Sequence, residues 1–215
     1  MPTELTSDQL LTLSQWMSPA FPVGAFAYSH GLEAAVQGGA VQDAASFAGW
    51  LEGVLHHGAG RNDAVMIRLA AATVDPGPLD ELNRALQPSE TRLLETEKMG
   101  DALCQTIAAV WTEMPQGLTY PVALGQAARA TRMPLTPVVQ MALHSFAANL
   151  VSAAIRLIPL GQTEGQKILQ GMNPLCLDIA QQTEGATRHS LGTAPLVSDI
   201  HAMQHSTLYS RMFRS

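Results

Sequence analysis

Charged residues are scarce in this sequence. Asp, Glu, Lys and Arg make up 14% of its 215 residues, while 47% are hydrophobic, and about a quarter charged is usual for a soluble domain. The hydrophobic content excludes disorder for the bulk of the chain. The low charge favours a protein that keeps part of its surface against a partner.

Clusters of basic residues are absent as well. Lys and Arg number 12 against 18 Asp and Glu, which gives a formal net charge of −6, and no stretch concentrates the basic residues. Binding to nucleic acid requires a basic patch against the phosphates, and a polybasic membrane anchor requires a similar cluster. We therefore expect no nucleic-acid partner and no attachment to a membrane.

Cysteine is nearly absent, and no secretory signal is visible. Cys104 and Cys176 lie far apart within apolar helical patterns, which favours buried free thiols. The opening MPTELTSDQL is polar, unlike a signal peptide. Residues 138–155 carry no charge and are long enough to span a bilayer, but five polar residues interrupt them. We expect a buried central helix there and a cytoplasmic protein.

Patterns typical of β-strands are missing, and helical periodicity takes their place. No Asn-Gly turn joins two alternating runs. Asp43 and the capping-box pattern at Thr163–Gln166 mark helix starts. We predict an all-α fold, a single bundle-like domain of about ten helices over residues 1–215 with a flexible first few residues. Apolar spacing places helical segments near 7–17, 29–37, 43–57, 62–73, 79–86, 89–112, 121–131, 137–157, 163–172, 174–183 and 195–206.

Motifs of nucleotide binding and of hydrolysis are also absent. The sequence contains no G-x-x-x-x-G-K-[ST] phosphate loop and no G-x-S-x-G elbow. Ser29, His30 and Glu33 are too close in sequence to form a triad on one short helix. A hydrolase would need a site assembled from distant residues, such as Ser29, His30 and Asp63, and this alternative stays open.

Two histidines have the spacing of metal ligands. His201 and His205 are four residues apart on a predicted helix, but the segment reads HAMQH rather than H-E-x-x-H. No third ligand is close in sequence, so contact with solvent or a partner is the favoured interpretation. A metal-binding protein that uses His201 and His205, with His189 as a further candidate, is the alternative.

The segment SPAFPVGAFAYSHGLEAAV, residues 18–36, has a shape set by proline and glycine. Pro22 fixes φ, Gly24 permits a conformation that other residues avoid, and Gly31 allows close approach of a neighbour. We interpret it as a shaped loop without evident chemistry of its own.

Aromatic residues and arginine stand at the end of the chain. Tyr209, Arg211 and Phe213 follow the last periodic helix, and both residue classes are enriched at the energetic centres of protein interfaces. We expect them to add little to the core of the monomer and to contact a partner. The alternative is a tail that folds back onto its own bundle.

Four segments resemble the urease accessory protein F (UreF) family, in the right order and over nearly the full chain. They are LSQWMSPAFPVGAFAYSHGLEAAVQ (13–37), ETRLLETEKMG (90–100), PLGQTEGQKIL (159–169) and DIHAMQHSTLYSRMFRS (199–215). Met212 stands where leucine is common in that family, and Ser206 where an acid is common.

The resemblance implies an all-α, cytoplasmic, homodimeric and non-enzymatic scaffold for nickel insertion into urease. The implied partners are the accessory protein D (also called H), the accessory GTPase G and the urease apoenzyme. No intrinsic cofactor is implied, because nickel and GTP are handled by the partners. The family's tail becomes ordered against the D/H protein, so residues 206–215 are predicted to be an interaction tail. The predicted partner-binding residues are Phe21, Pro22, Gly24, Phe26, Tyr28, Glu33, Glu95, Lys98, Gln166, Lys167, His205, Tyr209, Arg211 and Phe213.

Overall fold

Helices account for the regular structure of the described chain. The computed structural model describes residues 4–192 and 196–215, without the side chains of residues 196–198. No β-strand occurs in these residues, and two short 3-10 turns lie at Ala25–Ala27 and Arg188–Ser190. The α-helices are α1 (Ser7–Trp16), α2 (Leu32–Gln37), α3 (Ala44–His57), α4 (Ala59–Ala72), α5 (Gly77–Ala85), α6 (Glu90–Val110), α7 (Tyr120–Ala130), α8 (Leu135–Leu157), α9 (Gln162–Gly171), α10 (Asn173–Gln182) and α11 (Leu196–His205).

The all-α prediction is confirmed, and each predicted helical segment contains a helix. Asp43 caps α3 as predicted, since its Oδ1 accepts a hydrogen bond of 2.8 Å from the backbone N–H of Ser46. The capping box at Thr163 is wrong, because α9 already begins at Gln162 with Gly161 as its N-cap. The first residues, predicted to be flexible, include residues 1–3, which lie outside the described part.

The second predicted helix begins later than its apolar pattern indicates. The prediction placed its start near residue 29, whereas α2 begins at Leu32. His30 and Gly31 adopt positive φ values of 59° and 81°, which a right-handed helix does not accommodate. Residues 28–31 therefore form a tight turn ahead of α2.

The core brings α4, α6 and α7 into close contact. Gly125 on α7 lies against α4, where an added Cβ would come within 2.4 Å of the carbonyl oxygen of Ile67. Gly100 on α6 is equally close to the chain that enters α7. Around these contacts lie fully buried side chains, among them Trp16, Phe47, Leu55, Met66, Ile67, Leu103, Ile107, Leu124 and Met133.

The uncharged helix α8 lies centrally and packs against α2, α3, α4, α9 and α10, in agreement with the predicted central helix. Among the described helices it alone is long and apolar enough to cross a membrane by length and composition. Of its most apolar 18-residue window, 44% is buried inside the protein. A core helix gives the same signal, and its packing on five helices accounts for the apolar sequence.

The last helix, α11, brings the chain back to α2. α11 packs against α2 and α6, and the tail that follows it runs back along residues 27–33. The tail thereby packs against the turn that precedes α2 and against the first turn of α2.

Candidate functional site

The turn at residues 28–31 forms one wall of the site. Gly31 has a φ of +81°, and a Cβ at this position would lie 2.8 Å from the backbone nitrogen of Ala202 on α11. Both the conformation and the contact demand glycine here. The close approach predicted for Gly31 is confirmed, and it seats α11 directly against the turn.

The tail forms backbone hydrogen bonds with this turn. The N–H of Arg214 donates to the carbonyl oxygen of Ala27 at 2.9 Å. The carbonyl oxygen of Ser215 accepts from the backbone N–H of Ser29 at 3.0 Å and from its Oγ at 2.5 Å. Ser29 and Ser215 are both buried, so the end of the tail is an inner part of the fold.

Glu33, in the first turn of α2, binds the tail through its carboxylate. Oε1 accepts from the N–H of Met212 at 2.7 Å, and Oε2 accepts from the N–H of Phe213 at 3.0 Å. The Nε2 atom of His205 lies 3.3 Å from Oε2. Glu33 is only 4% exposed, and a buried carboxylate is stable where charge-assisted hydrogen bonds of this kind satisfy it.

Glu95 on α6 closes the other side of the site. Its carboxylate pairs with the guanidinium of Arg92, contacts the Oγ of Ser215 and lies 3.6 Å from Nδ1 of His30. Burial alone would raise the pKa of Glu95, but Arg92 and His30 outweigh it and lower the pKa to about 2. Burial, reinforced by Arg92, lowers the pKa of His30 to about 4. At neutral pH the carboxylate is therefore charged and the imidazole neutral.

We call residues 27–33 together with Glu95 the tail socket. Several predicted partner-binding residues from distant parts of the sequence lie in this socket or contact it, namely Tyr28, Glu33, Glu95, His205 and Phe213. Ser29, which the sequence analysis named only as a hydrolase candidate, lies within it. Arg92 and Ser215 complete it and were not among the predicted site residues. The pattern offered no signal for them, because their roles depend on contacts between the two ends of the chain.

The tail residues divide into one buried aromatic and an exposed group. Phe213 is 4% exposed, and its ring lies 4.5 Å from Cζ of Arg156 on α8. The expectation that the tail aromatics add little to the monomer core is therefore wrong for Phe213. Tyr209 and Arg211 are exposed, as expected for residues that contact a partner.

The paired histidines on α11 lie inside the protein. His201 and His205 are both buried, so their interpretation as a solvent-facing pair is wrong, and burial lowers the pKa of His201. His189 is exposed in the second 3-10 turn. Within residues 4–192 and the described part beyond residue 195, no group of three or more His, Cys, Asp or Glu side chains could hold one metal ion.

The arrangement around Ser29 does not match that of a hydrolase. Its hydroxyl donates to Ser215 rather than to an imidazole. His30 packs edge-on against Phe146, with 4.9 Å between ring centroids, and faces Glu95. Asp63 lies on α4 and makes no hydrogen bond with either residue in the described structure. A nucleophile beside its base, which this chemistry requires, is not formed here.

The other predicted residues of the first loop surround the socket without entering it. Phe21 is buried with its ring centroid 6.3 Å from that of Trp111. Pro22 is exposed, and Gly24 adopts a φ of +73°, as its predicted role requires. Phe26 is 70% exposed, which leaves an aromatic ring at the surface beside the socket.

The remaining predicted residues lie on the outer faces of two helices. Lys98 is exposed on α6, three residues beyond the buried Glu95. Gln166 and Lys167 are exposed on α9, which packs against α3, α8 and α10. No hydrogen bond in the described structure joins these three side chains to the tail socket, so their predicted role in partner binding rests on the resemblance alone.

Comparison with known proteins identifies the family of this chain. The sequence profile of the UreF family matches residues 41–173 of the chain. The chain belongs to the UreF family. The match covers most of the helical bundle, and the family resemblance predicted from the four segments is confirmed.

Curated relatives extend the match to nearly the whole chain. A protein named urease accessory protein UreF from Cereibacter sphaeroides is 49% identical over 209 residues, which cover 97% of this chain and all of the relative. Proteins of the same name are 48% identical in Ruegeria pomeroyi, with 98% of both chains covered, and 43% identical in Roseobacter denitrificans, with 98% and 96% covered. The alignments thus cover nearly all of this chain and nearly all of these relatives.

Proposed function

We propose that this chain is a non-enzymatic scaffold for urease maturation, which joins the accessory D/H protein and the accessory GTPase G for nickel insertion into apo-urease. Membership of the urease accessory family UreF supports this role. In this proposal the chain acts as a homodimer in the cytoplasm, nickel is cargo, and GTP is bound by the GTPase.

The observation that carries the proposal is the way the tail is held. Its backbone is bound by the socket through Glu33 and Ser29, while the side chains of Tyr209 and Arg211 point to solvent. A backbone held in this way presents exposed side chains in one arrangement, which lowers the conformational entropy lost when a partner binds.

Apolar side chains next to the tail extend the exposed surface. Met203 on α11 is 50% exposed, Ile200 is 40% exposed, and Met212 in the tail is 56% exposed. Aromatic residues, methionine and arginine are the residues enriched at protein interfaces. This face, formed by Ile200, Met203, Tyr209, Arg211 and Met212, is the proposed contact surface for the D/H protein, and we call it the tail face.

The alternative function, a nickel-binding chaperone that uses His201 and His205, has less support. A metal ion must reach the imidazole nitrogens of its ligands, and both residues are buried. The Nε2 of His205 is also directed at Glu33. These contacts favour a structural role for the pair.

Co-purification tests the scaffold function. The tagged chain is mixed with the D/H protein and the GTPase, with and without guanine nucleotide, and the captured partners are quantified. The double variant Tyr209→Ala/Arg211→Ala removes the exposed aromatic ring and the exposed guanidinium group of the tail face. We expect a clear loss of D/H capture, with an unchanged circular dichroism spectrum.

A matched control uses an exposed arginine that is not part of the tail face. Arg188 lies in the second 3-10 turn and is exposed, so Arg188→Ala should capture both partners as the wild type does. Full capture of the D/H protein by the folded double variant would contradict the role of the tail face. Failure of the wild-type chain to capture either partner would contradict the scaffold function.

A further inference from the structure

A cavity of about 480 Å³ opens beside the first loop, separate from the tail face. Its lining comes from residues 16–26 and from α4, α6, α7 and α8. Pro19, Phe26 and Ser152 line it and are exposed, so the mouth lies between the loop and α8. The walls are mainly apolar, with Trp16, Met17, Val23, Ile67, Met99 and Met141 among them.

Charged groups gather at the inner end of the cavity. Arg92 and Glu95 on α6 both line it and pair with each other. Asp63 on α4 also lines it, but its carboxyl group makes no hydrogen bond and no ion pair with the described residues. When Asp63 is ionised, this end therefore carries one carboxylate more than it has cations.

Tyr120 and His30, which lie nearby, do not compensate that charge. Burial, together with Asp63, raises the pKa of Tyr120 on α7 to about 12, so its hydroxyl is uncharged. His30, behind Glu95, is neutral because burial lowers its pKa to about 4. His144 on α8 lines the cavity too. A carboxyl group beside apolar walls favours its protonated form unless a ligand supplies a counter-charge.

We propose that the cavity binds a single primary ammonium group carried on an apolar stem, with Asp63 as its acceptor. One monocation restores neutrality at the inner end, and its stem covers the apolar walls. The three N–H donors of an ammonium group suit a carboxylate without other partners. A coordinated metal ion fits less well, because the described residues offer no group of three metal-ligating side chains here.

The titration of Asp63 agrees with this assignment. Burial raises its pKa to about 7, Arg92 opposes the rise, and Glu95 adds to it. A bound cation stabilises the ionised form, so binding should lower this pKa. By linkage, the affinity for an ammonium ligand should increase as the pH rises from about 6 to about 8, where Asp63 loses its proton.

Calorimetric titration of the isolated chain with n-pentylammonium chloride tests the site, and 1-pentanol serves as the neutral ligand with the same stem. At about pH 8 we expect saturable binding of the ammonium that is at least about tenfold tighter than that of the alcohol. Asp63→Asn should reduce the ratio to about one while the alcohol still binds, which also shows that the cavity has formed.

Asp101→Asn is the matched control, because Asp101 lies on α6 and does not line the cavity. It should retain the preference for the ammonium. Two results overturn the proposal: no saturation by pentylammonium, or a preference that Asp63→Asn leaves unchanged.

The ammonium group can belong to a free amine or to a lysine side chain of a bound protein. If a partner's lysine fills the cavity, then Asp63→Asn and saturating pentylammonium both weaken capture of that partner. If the natural ligand is a free amine, capture of the D/H protein and of the GTPase stays at the wild-type level. Because the titration uses the isolated chain, its failure is distinct from failure of the scaffold function.

Discussion

The two aromatic residues of the tail allow a matched test, because they lie four positions apart and differ in burial. Phe213 is 4% exposed and packs under Arg156, whereas Tyr209 is fully exposed. Phe213→Ala removes a buried ring, which costs about 3–5 kcal/mol in well-packed cores. The tail lies at the edge of the bundle and can relax, so we expect a loss of about 3 kcal/mol.

That loss should appear as a lower melting temperature. For a chain of this size, about 1 kcal/mol shifts the midpoint by about 2–4 °C, so Phe213→Ala should lower it by about 6–12 °C. Tyr209→Ala should change the stability by less than about 0.5 kcal/mol, since no neighbour loses a contact. Thermal unfolding followed by circular dichroism measures both variants.

In binding to the D/H protein, the two variants should rank in the opposite order, with the larger loss of affinity in Tyr209→Ala. Tyr209→Ala leaves the fold intact and removes an exposed aromatic anchor, which should weaken capture by about 2 kcal/mol, or about thirtyfold. Phe213→Ala should weaken capture only in proportion to the fraction of molecules whose tail has detached from the tail socket. A titration of the D/H protein against each variant separates the two effects.

Hydrogen exchange of the backbone amides shows whether the tail has detached from the tail socket. Glu33 accepts hydrogen bonds from the amides of Met212 and Phe213, so these amides should be protected in the wild type and should exchange quickly in Phe213→Ala. If the variant melts within about 1 °C of the wild type with both amides still protected, the buried ring does not hold the tail and the reasoning is refuted.

Three further predictions concern the turn at Gly31, the raised pKa of Asp63 and the binding of nucleotide. Gly31→Ala should destabilise the protein by more than about 3 kcal/mol, because the added methyl group strains a positive φ and collides with the backbone of α11. Gly24→Ala, at a positive φ in open space, should cost only about 1 kcal/mol. Equal losses of stability in urea unfolding would contradict the contact between Gly31 and α11. Because burial raises the pKa of Asp63 from 3.8 to about 7, the folded chain binds more protons than the unfolded chain between these values, and its stability relative to Asp63→Asn should fall by at most about 4 kcal/mol as the pH rises through that window. His30 has the opposite slope, since its pKa is lowered, but it contributes to both proteins and cancels in the difference. Parallel stability curves of the two proteins would refute the raised pKa of Asp63. The purified chain should not bind GTP, because its sequence has no phosphate loop, and micromolar affinity in a fluorescent-nucleotide titration would contradict this.

The helices could be predicted because their signals are local. Apolar spacing marks one face of each helix, and residues such as Asp43 and Pro121 mark the starts. The errors occur where a neighbouring element changes the local preference. Residues 29–31 follow an apolar helical pattern, yet they turn because α11 packs against Gly31, and no window of nearby residues contains that contact.

The site could be predicted only in part, for a related reason. The resemblance to the UreF family directed attention to Glu33, Glu95 and His205, but it indicated no contacts among them. Whether Glu95 is a solvated charge on α6 or a buried partner of Arg92 depends on what packs above it. The same holds for Asp63, which becomes the uncompensated acid of a cavity only because four helices and a loop enclose it.

The sequence by itself determined the all-α class, the approximate positions of the helices and the family, since these follow from periodicity, from end signals and from motifs along the chain. Only the tertiary structure decided that Phe213 is core while Tyr209 is surface, and that Glu33 binds the backbone of the tail. The physical reason is that burial and hydrogen bonding depend on which segments meet in space. Ser29 and Ser215 meet here because the carbonyl oxygen of Ser215 accepts two hydrogen bonds from Ser29, although helices α2 to α11 lie between them in the sequence.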